Sequence, residues 1–371
     1  MQESDLPGLT AQVLWTSFAL AAVFGAIAQR THFCTMGAVA DIVNIGDWTR
    51  MRMWLLAIAV AMLGFNLMVG MGWVQAGQSV YAAPRLIWLS NLLGGLMFGF
   101  GMVLASGCGS KTLVRIGGGS LKSVVVFAVL GIAAYATLRG ITGVARVASV
   151  DTVAAMLPVG QDLPSLAANA LGGARQTWAL LLGGALGAAL IGFVLARPEG
   201  RTGEVWLAGL GLGAVVVGVW WVSGRLGHLM EHPLTLEEVF LATNTQRMES
   251  LTFVAPIAYT VDWLILFSDK NNVLTVGIVT TLGVVLGSAA VALSTRVFRW
   301  EGFAGTEDTA NHLVGALLMG VGGVTAMGCT VGQGMSGVST LAIGSFIALA
   351  AIMAGAVAGV RWQVWRLEHG S

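Results

Sequence analysis

Apolar stretches of about twenty residues recur along the whole chain, separated by short polar or glycine-rich connections. About 20 apolar residues in a helix cross a bilayer core. Stretches of that kind fall at 11–29, 53–74, 86–106, 121–138, 177–196, 205–223, 272–294, 311–327 and 339–360. A further stretch at 253–267 is short and carries Pro256 and Asp262, which predicts a re-entrant or interfacial helix. The pattern therefore predicts an all-α polytopic membrane protein, with about nine transmembrane helices plus short re-entrant ones.

Composition points the same way. Only 10% of the 371 residues are charged, 56% are hydrophobic and the mean hydropathy is +0.81. A soluble domain of this size could not coat itself with so few charges. A disordered chain would be charged and poor in large apolar residues. The 52 glycines follow no three-residue period, which excludes a collagen-like structure. A net charge of +1 without a basic cluster argues against a nucleic-acid partner. Met1–Thr10 contains Glu3 and Asp5 and no basic residue, unlike the start of a signal peptide.

Nine spans place the connections 30–52, 107–122, 197–204 and 295–310 and the C-terminus on one side. That side holds twelve of the 19 Lys and Arg. Of the other seven, six lie in the long connections 139–176 and 224–271, where the positive-inside rule is weak. The N-terminus is thus expected outside and the C-terminus in the cytoplasm. The chain reads as a single membrane domain with one half at about 11–138 and a second at about 177–360. The connection 139–176, with Pro158 and Pro164, joins them.

The two halves resemble each other. Residues 91–108 align without a gap on 312–329, with identities that include Gly94/Gly315, Gly99/Gly320, Gly101/Gly322, Ala105/Ala326, Gly107/Gly328 and Cys108/Cys329. Small-residue helix packing explains the glycines but not the shared Gly-Cys ending. The topology puts the Cys108 connection inside and the Cys329 connection outside. This predicts a pseudo-symmetric inverted repeat, with a site at the repeat interface near the midplane.

Each Gly-Cys closes an apolar helix and opens a loop of small residues. One runs Gly107-Cys108-Gly109-Ser110-Lys111-Thr112, the other Gly328-Cys329-Thr330-Val331-Gly332-Gln333. Irregular backbone survives in a membrane only where protein buries it or where it lines a cavity. Short helices starting at Ser110 or Thr330 would aim positive dipole ends inward and favour an anion. The third cysteine, Cys34, follows the first apolar stretch in Arg30-Thr31-His32-Phe33-Cys34. Three cysteines at these spacings form neither a disulfide framework nor a zinc site. All three lie at the ends of apolar segments, so they are candidates for the lining of a pathway. Arg30 at this position serves equally as an interfacial anchor.

Together, Gly-x-Gly-x5-Gly-Cys108-Gly-Ser-Lys-Thr-Leu-Val-Arg, Gly-Cys329-Thr-Val-Gly-Gln-Gly-Met-Ser-Gly and Gln29-Arg30-x-x-Phe33-Cys34 resemble the YeeE/YedE family of thiosulfate transporters. The resemblance covers about residues 11–360. It implies an importer of thiosulfate in the bacterial inner membrane, hourglass-shaped, with two pseudo-symmetric halves and short helices reaching a central constriction; the positive-inside count makes its N-terminus periplasmic. It also implies that Cys34, Cys108 and Cys329 form transient hydrogen bonds to the passing anion, with a separate cytoplasmic TusA-like sulfurtransferase as partner. Many relatives have His where this chain has Gln333, so a proton-linked role there does not carry over. Some relatives are associated with selenium compounds.

No enzymatic activity, cofactor or metal is expected. Thiosulfate is a dianion with three hard oxygens and one soft sulfur, and a thiol is a weak donor that can hold that sulfur without trapping it. The alternatives are a membrane sulfurtransferase carrying a cysteine persulfide and an importer of a selenium compound. A covalent relay needs a base or cation beside each thiol. Lys111 stands near Cys108 in sequence, but between Asp308 and Arg361 only His312 could serve Cys329. No Gly-x4-Gly-Lys-[Ser/Thr] motif is present, so ATP is not expected to drive the chain.

Overall fold

The computed structural model describes residues 5–233 and 235–369. Residues 1–4, including the Glu3 weighed above, lie outside them. The chain folds as α1 (Leu6–Arg30), α2 (Thr35–Ile45), α3 (Thr49–Gly70), α4 (Trp88–Leu104), α5 (Gly109–Gly117) and α6 (Leu121–Arg139). Then come α7 (Ile141–Ala148), α8 (Leu163–Leu171) and the long α9 (Arg175–Leu195). The remainder forms α10 (Gly203–Trp221), α11 (Ala255–Ile265), α12 (Val276–Ser294), α13 (Thr306–Thr325), a short helix over 330–339 and α14 (Ile343–His369). Two small antiparallel ribbons hold the loops. β1 (Arg85–Leu86) pairs with β2 (Ala155–Met156), and β3 (His228–Leu229) with β4 (Val239–Phe240).

Eight helical stretches are long and apolar enough to cross a membrane. The ninth expected span, 311–327, corresponds to α13, which is not among the eight. Its N-terminal half carries Glu307, Asp308, Asn311 and His312, and these lower its hydropathy. It is nevertheless packed between α4 and α6. The stretch at 253–267 becomes α11, whose 11 residues rise only about 16 Å and cannot span.

Glycine sets how closely these helices approach, because lipid supplies no hydrophobic drive between them. A Cβ on Gly94 would lie 2.4 Å from the Ala326 nitrogen, and one on Gly101 2.8 Å from the Gly315 oxygen. Conversely, Gly322 abuts Gly94 and Phe98, while Gly315 abuts Gly101 and Ala105. The pairing of 94 with 322 and of 101 with 315 makes α4 and α13 antiparallel. Position 94 matches 315 in the internal repeat and 101 matches 322. Each contact is therefore the other after a half-turn, and the two Gly-Cys turns lie at opposite ends of this helix pair.

The neighbours follow the same correspondence. α4 packs on α14 as α13 packs on α6, and α1 packs on α12 as α10 packs on α3. α2 meets α14 as α11 meets α6. The long α9, the least buried of the spanning stretches, packs against α3.

Candidate functional site

The two Gly-Cys turns have the same backbone. Ser106 and Met327 both take left-handed conformations, at φ 56° and 58°. Gly107 N–H bonds the Met102 carbonyl at 2.8 Å, and Gly328 N–H bonds the Gly323 carbonyl at 2.8 Å. The helix ends are thus closed by the same carbonyl-satisfying turn. The chain then re-enters a helix at once. α5 starts at Gly109, one residue before the expected Ser110, and the second short helix starts at Thr330 as expected.

All three cysteines open short helices. Cys34 is extended and caps α2, its Sγ accepting from Gly37 N–H at 3.3 Å. Cys329 Sγ accepts from Gly332 N–H at 3.4 Å. Cys108 precedes α5, with its Sγ 3.2 Å from Ser110 Oγ. Cys34, Cys108 and Cys329 are 7%, 1% and 0% exposed. Cys108 lies within electrostatic range of both other thiols. Helix N-termini carry unpaired N–H groups and about half a positive charge each. The arrangement therefore offers anion-binding ends in a dry interior, with a polarisable sulfur at each.

The other candidates divide. Gly107 gives room to the Lys111 stem, which would lie 3.0 Å from a Cβ there, and Gly109 lies 3.0 Å by the same measure from the Phe253 carbonyl oxygen. Lys111 is within electrostatic range of Cys34 and Cys108, together with Arg115 and Arg50. Gly328 stands against Gln333, a Cβ on it being 3.2 Å from that side chain. Gln333 donates to the Ala326 carbonyl at 2.5 Å, leaving its Oε1 buried without a partner. The Thr330 hydroxyl is likewise buried and unpartnered. Arg30 is exposed in the last turn of α1, where a cation complements the helix dipole; it does not join the buried thiols.

Several residues that the motifs do not mark complete the site. Thr35, directly after Cys34, has a buried unpartnered hydroxyl like that of Thr330. Thr252 Oγ1 lies 4.0 Å from Cys329 Sγ and also bonds the Tyr81 hydroxyl. A cavity of about 260 Å³ leads to this end; Tyr81, Arg146, Glu249, Thr252, Tyr259 and Gly328 are among its lining residues. Arg146 is held by Asp151 at 2.8 Å, with its Nε buried and unpartnered. Burial pushes the Glu249 carboxyl above the usual carboxylate range, opposed by hydrogen bonds from Thr245 and Asn244. Arg146 and Glu249 lie in connections the hydropathy pattern treats as loops, and only the fold brings them to one cavity.

These features define a multi-pass membrane protein whose re-entrant helices bring three thiols into an apolar interior. The family model described as Sulphur transport matches residues 30–358, and the chain belongs to that family. It is 26% identical over 348 residues to the thiosulfate transporter TsuA of Spirochaeta thermophila, covering 91% of this chain and 94% of that one. To the thiosulfate transporter TsuA of Escherichia coli it is 25% identical over 318 residues, 85% and 84% of the two chains. A shorter match, 31% over 94 residues, links it to the probable transporter YedE of Salmonella typhimurium, covering 25% of this chain and 21% of that one. The kinship read from the Gly-Cys motifs is thereby established, and with it membership of a sulfur-transport family.

Proposed function

We propose that the chain imports thiosulfate across the bacterial inner membrane, with the N-terminus periplasmic and the C-terminus cytoplasmic. The observation that carries this reading is the set of three buried cysteines at helix N-termini, in a chain similar along most of its length to two thiosulfate transporters. The two halves, expected at about 11–138 and 177–360, are taken here as repeats at 6–139 and 203–369 with α9 between them, each contributing four long helices. α9 is the odd span that turns the second repeat over. The anion meets Cys329 first, from the cavity beside Tyr81 and Thr252, then Cys108, then Cys34 and the cationic side of Lys111, Arg115 and Arg50.

At each thiol the terminal sulfur is held by a weak S–H donor while N–H groups and the hydroxyls of Thr330 and Thr35 replace water around the oxygens. Thiols serve this role as neutral donors, because a thiolate would repel the dianion. Once inside, thiosulfate is passed to a separate TusA-like sulfurtransferase in the cytoplasm.

Radiolabelled uptake into cells lacking other thiosulfate importers tests the substrate, with sulfite and selenite as competitors; selenite preferred over thiosulfate would transfer the reading to selenium. Cys→Ser at 108 or 329 should retain partial transport where Cys→Ala does not. Intact-mass analysis during uptake should find no added sulfur. A persulfide trapped on Cys108 or Cys329 would instead establish a sulfurtransferase relay.

A further inference from the structure

A dianion moving inward against a negative interior is excluded by the membrane potential, on the order of a thousandfold at equilibrium for 100 mV. The chain holds no nucleotide-binding motif to oppose this. The cavity leading to Cys329 nevertheless contains an acid. Glu249 lines it together with Thr252 and Gly328. Its Oε1 accepts from Thr245 N–H at 2.9 Å and from Thr245 Oγ1 at 2.5 Å, and its main chain is tied to Ser223 of the turn after α10. Among the described residues it is in no ion pair. The cavity's cation, Arg146 on α7, is committed to Asp151 at 2.8 Å.

The other titratable groups near it are Tyr81 from the loop before α4 and Tyr259 from α11; the Cys329 thiol lies beyond Thr252. None is a cation. The Asn244 Oδ1 that also lines the cavity is buried without a partner and can accept only from a donor. An ionised Glu249 would repel a dianion in this space, while a neutral one presents a hydroxyl donor.

Resting on the thiosulfate reading, we infer that Glu249 is the proton-coupling residue of the transporter: it takes up a proton from outside as the anion occupies this cavity, so that one proton and the anion enter together, which halves the charge moved inward and the electrical work against the potential. Partial withdrawal of the carboxyl from water raises its proton affinity, which favours that loading. Release of that proton inward leaves a carboxylate that keeps the next anion out of the cavity until it is protonated again, which keeps the two movements linked.

The test uses the full-length chain in sodium-free proteoliposomes with a trapped pH dye and radiolabelled thiosulfate. Wild type should take up more as external pH falls from 8 to 6, by up to about tenfold per unit while Glu249 is mostly ionised. Thiosulfate addition should acidify the lumen. Glu249→Gln, which keeps the size of the side chain, should flatten the pH profile and abolish the acidification. Wild-type uptake that is flat with pH, or that requires sodium, or an E249Q profile as steep as wild type, overturns the coupling. The dye response of wild type decides the matter even if E249Q does not fold. Absence of thiosulfate uptake at every pH, with sodium added as well as without it, would instead remove the substrate reading, which distinguishes the two failures.

Discussion

The turns at Cys108 and Cys329 share a backbone and differ in charge. Their closing hydrogen bonds and left-handed residues match, position for position. After the cysteine, the first loop places Lys111 and Arg115 where the second places Gly332 and Ser336. Gly332 cannot be replaced by a long side chain, because a Cβ there would meet Thr252 Oγ1 at 2.4 Å, and Ser336 is spent on the Leu251 carbonyl at 2.7 Å. The second helix also widens into a π turn over Gly332–Gly337, a feature common at functional sites. Duplication thus supplied one frame twice, and the residues around each copy made one end cationic and the other neutral.

Four measurements sharpen or break this comparison. The largest effect is expected where the two copies touch. Gly94→Val forces a side chain into the Ala326 backbone and should cost about 3 kcal/mol or more, seen as loss of monodisperse protein from detergent extracts. Gly315→Val should do the same, since Gly315 is the repeat counterpart of Gly94 and a Cβ there would lie 2.6 Å from the Ala105 nitrogen; a well-folded G315V beside a lost G94V would break the equivalence.

Next comes the chemistry at the turns. Cys108→Ala and Cys329→Ala should each lower thiosulfate uptake by about a hundredfold with normal protein in the membrane, a loss of about 2.7 kcal/mol in stabilising the passing anion. Cys34→Ala, whose counterpart in the other repeat is Val254 before α11, should lose less. Equal loss of folded protein in all three would return the cysteines to a packing role.

The charge difference should be worth about one decade. Lys111→Met keeps the stem and removes the cation, and should reduce uptake about tenfold. Unchanged uptake in K111M would show that the polarity of the two ends has no part in transport.

The smallest effect concerns the loop closures. Ser120 after the first loop bridges to Glu301, whose carboxylate binds Lys122 at 2.7 Å; Ala342 after the second bridges to Asp162, which caps α8 through Ser165. The Lys122 hydrogen bond holds Glu301 below the usual carboxylate range. A depressed folded-state value stabilises at pH above about 4.3 and is lost as pH falls through the folded value. Glu301 is half exposed, so Glu301→Gln should lower thermal stability at pH 7 by no more than about 0.5 kcal/mol and by nothing measurable near pH 3.

Much of the frame was legible because a membrane allows so few alternatives. Runs of apolar residues had to become helices, and Pro256 with Asp262 had to shorten α11. The Gly-Cys repeat could be read because small residues and cysteine recur at matching positions. Arg30 shows the limit of such reading: it adjoins the Cys34 motif in sequence, yet a helix end carries it outward. Arg146, Glu249, Tyr81 and Thr252 show the converse. They are polar residues in connections with no periodicity, and nothing local marks them.

The sequence by itself determined the class of fold, the duplicated helices and the three cysteines, since hydropathy and glycine spacing act through local backbone geometry. Only the tertiary structure decided that α4 and α13 cross antiparallel at glycine, that α9 packs on α3 outside the paired helices, and that Glu249 and Arg146 share a cavity. Those relations depend on contacts between residues one hundred or more positions apart, set by how closely two backbones approach, and no run of neighbouring residues encodes that distance.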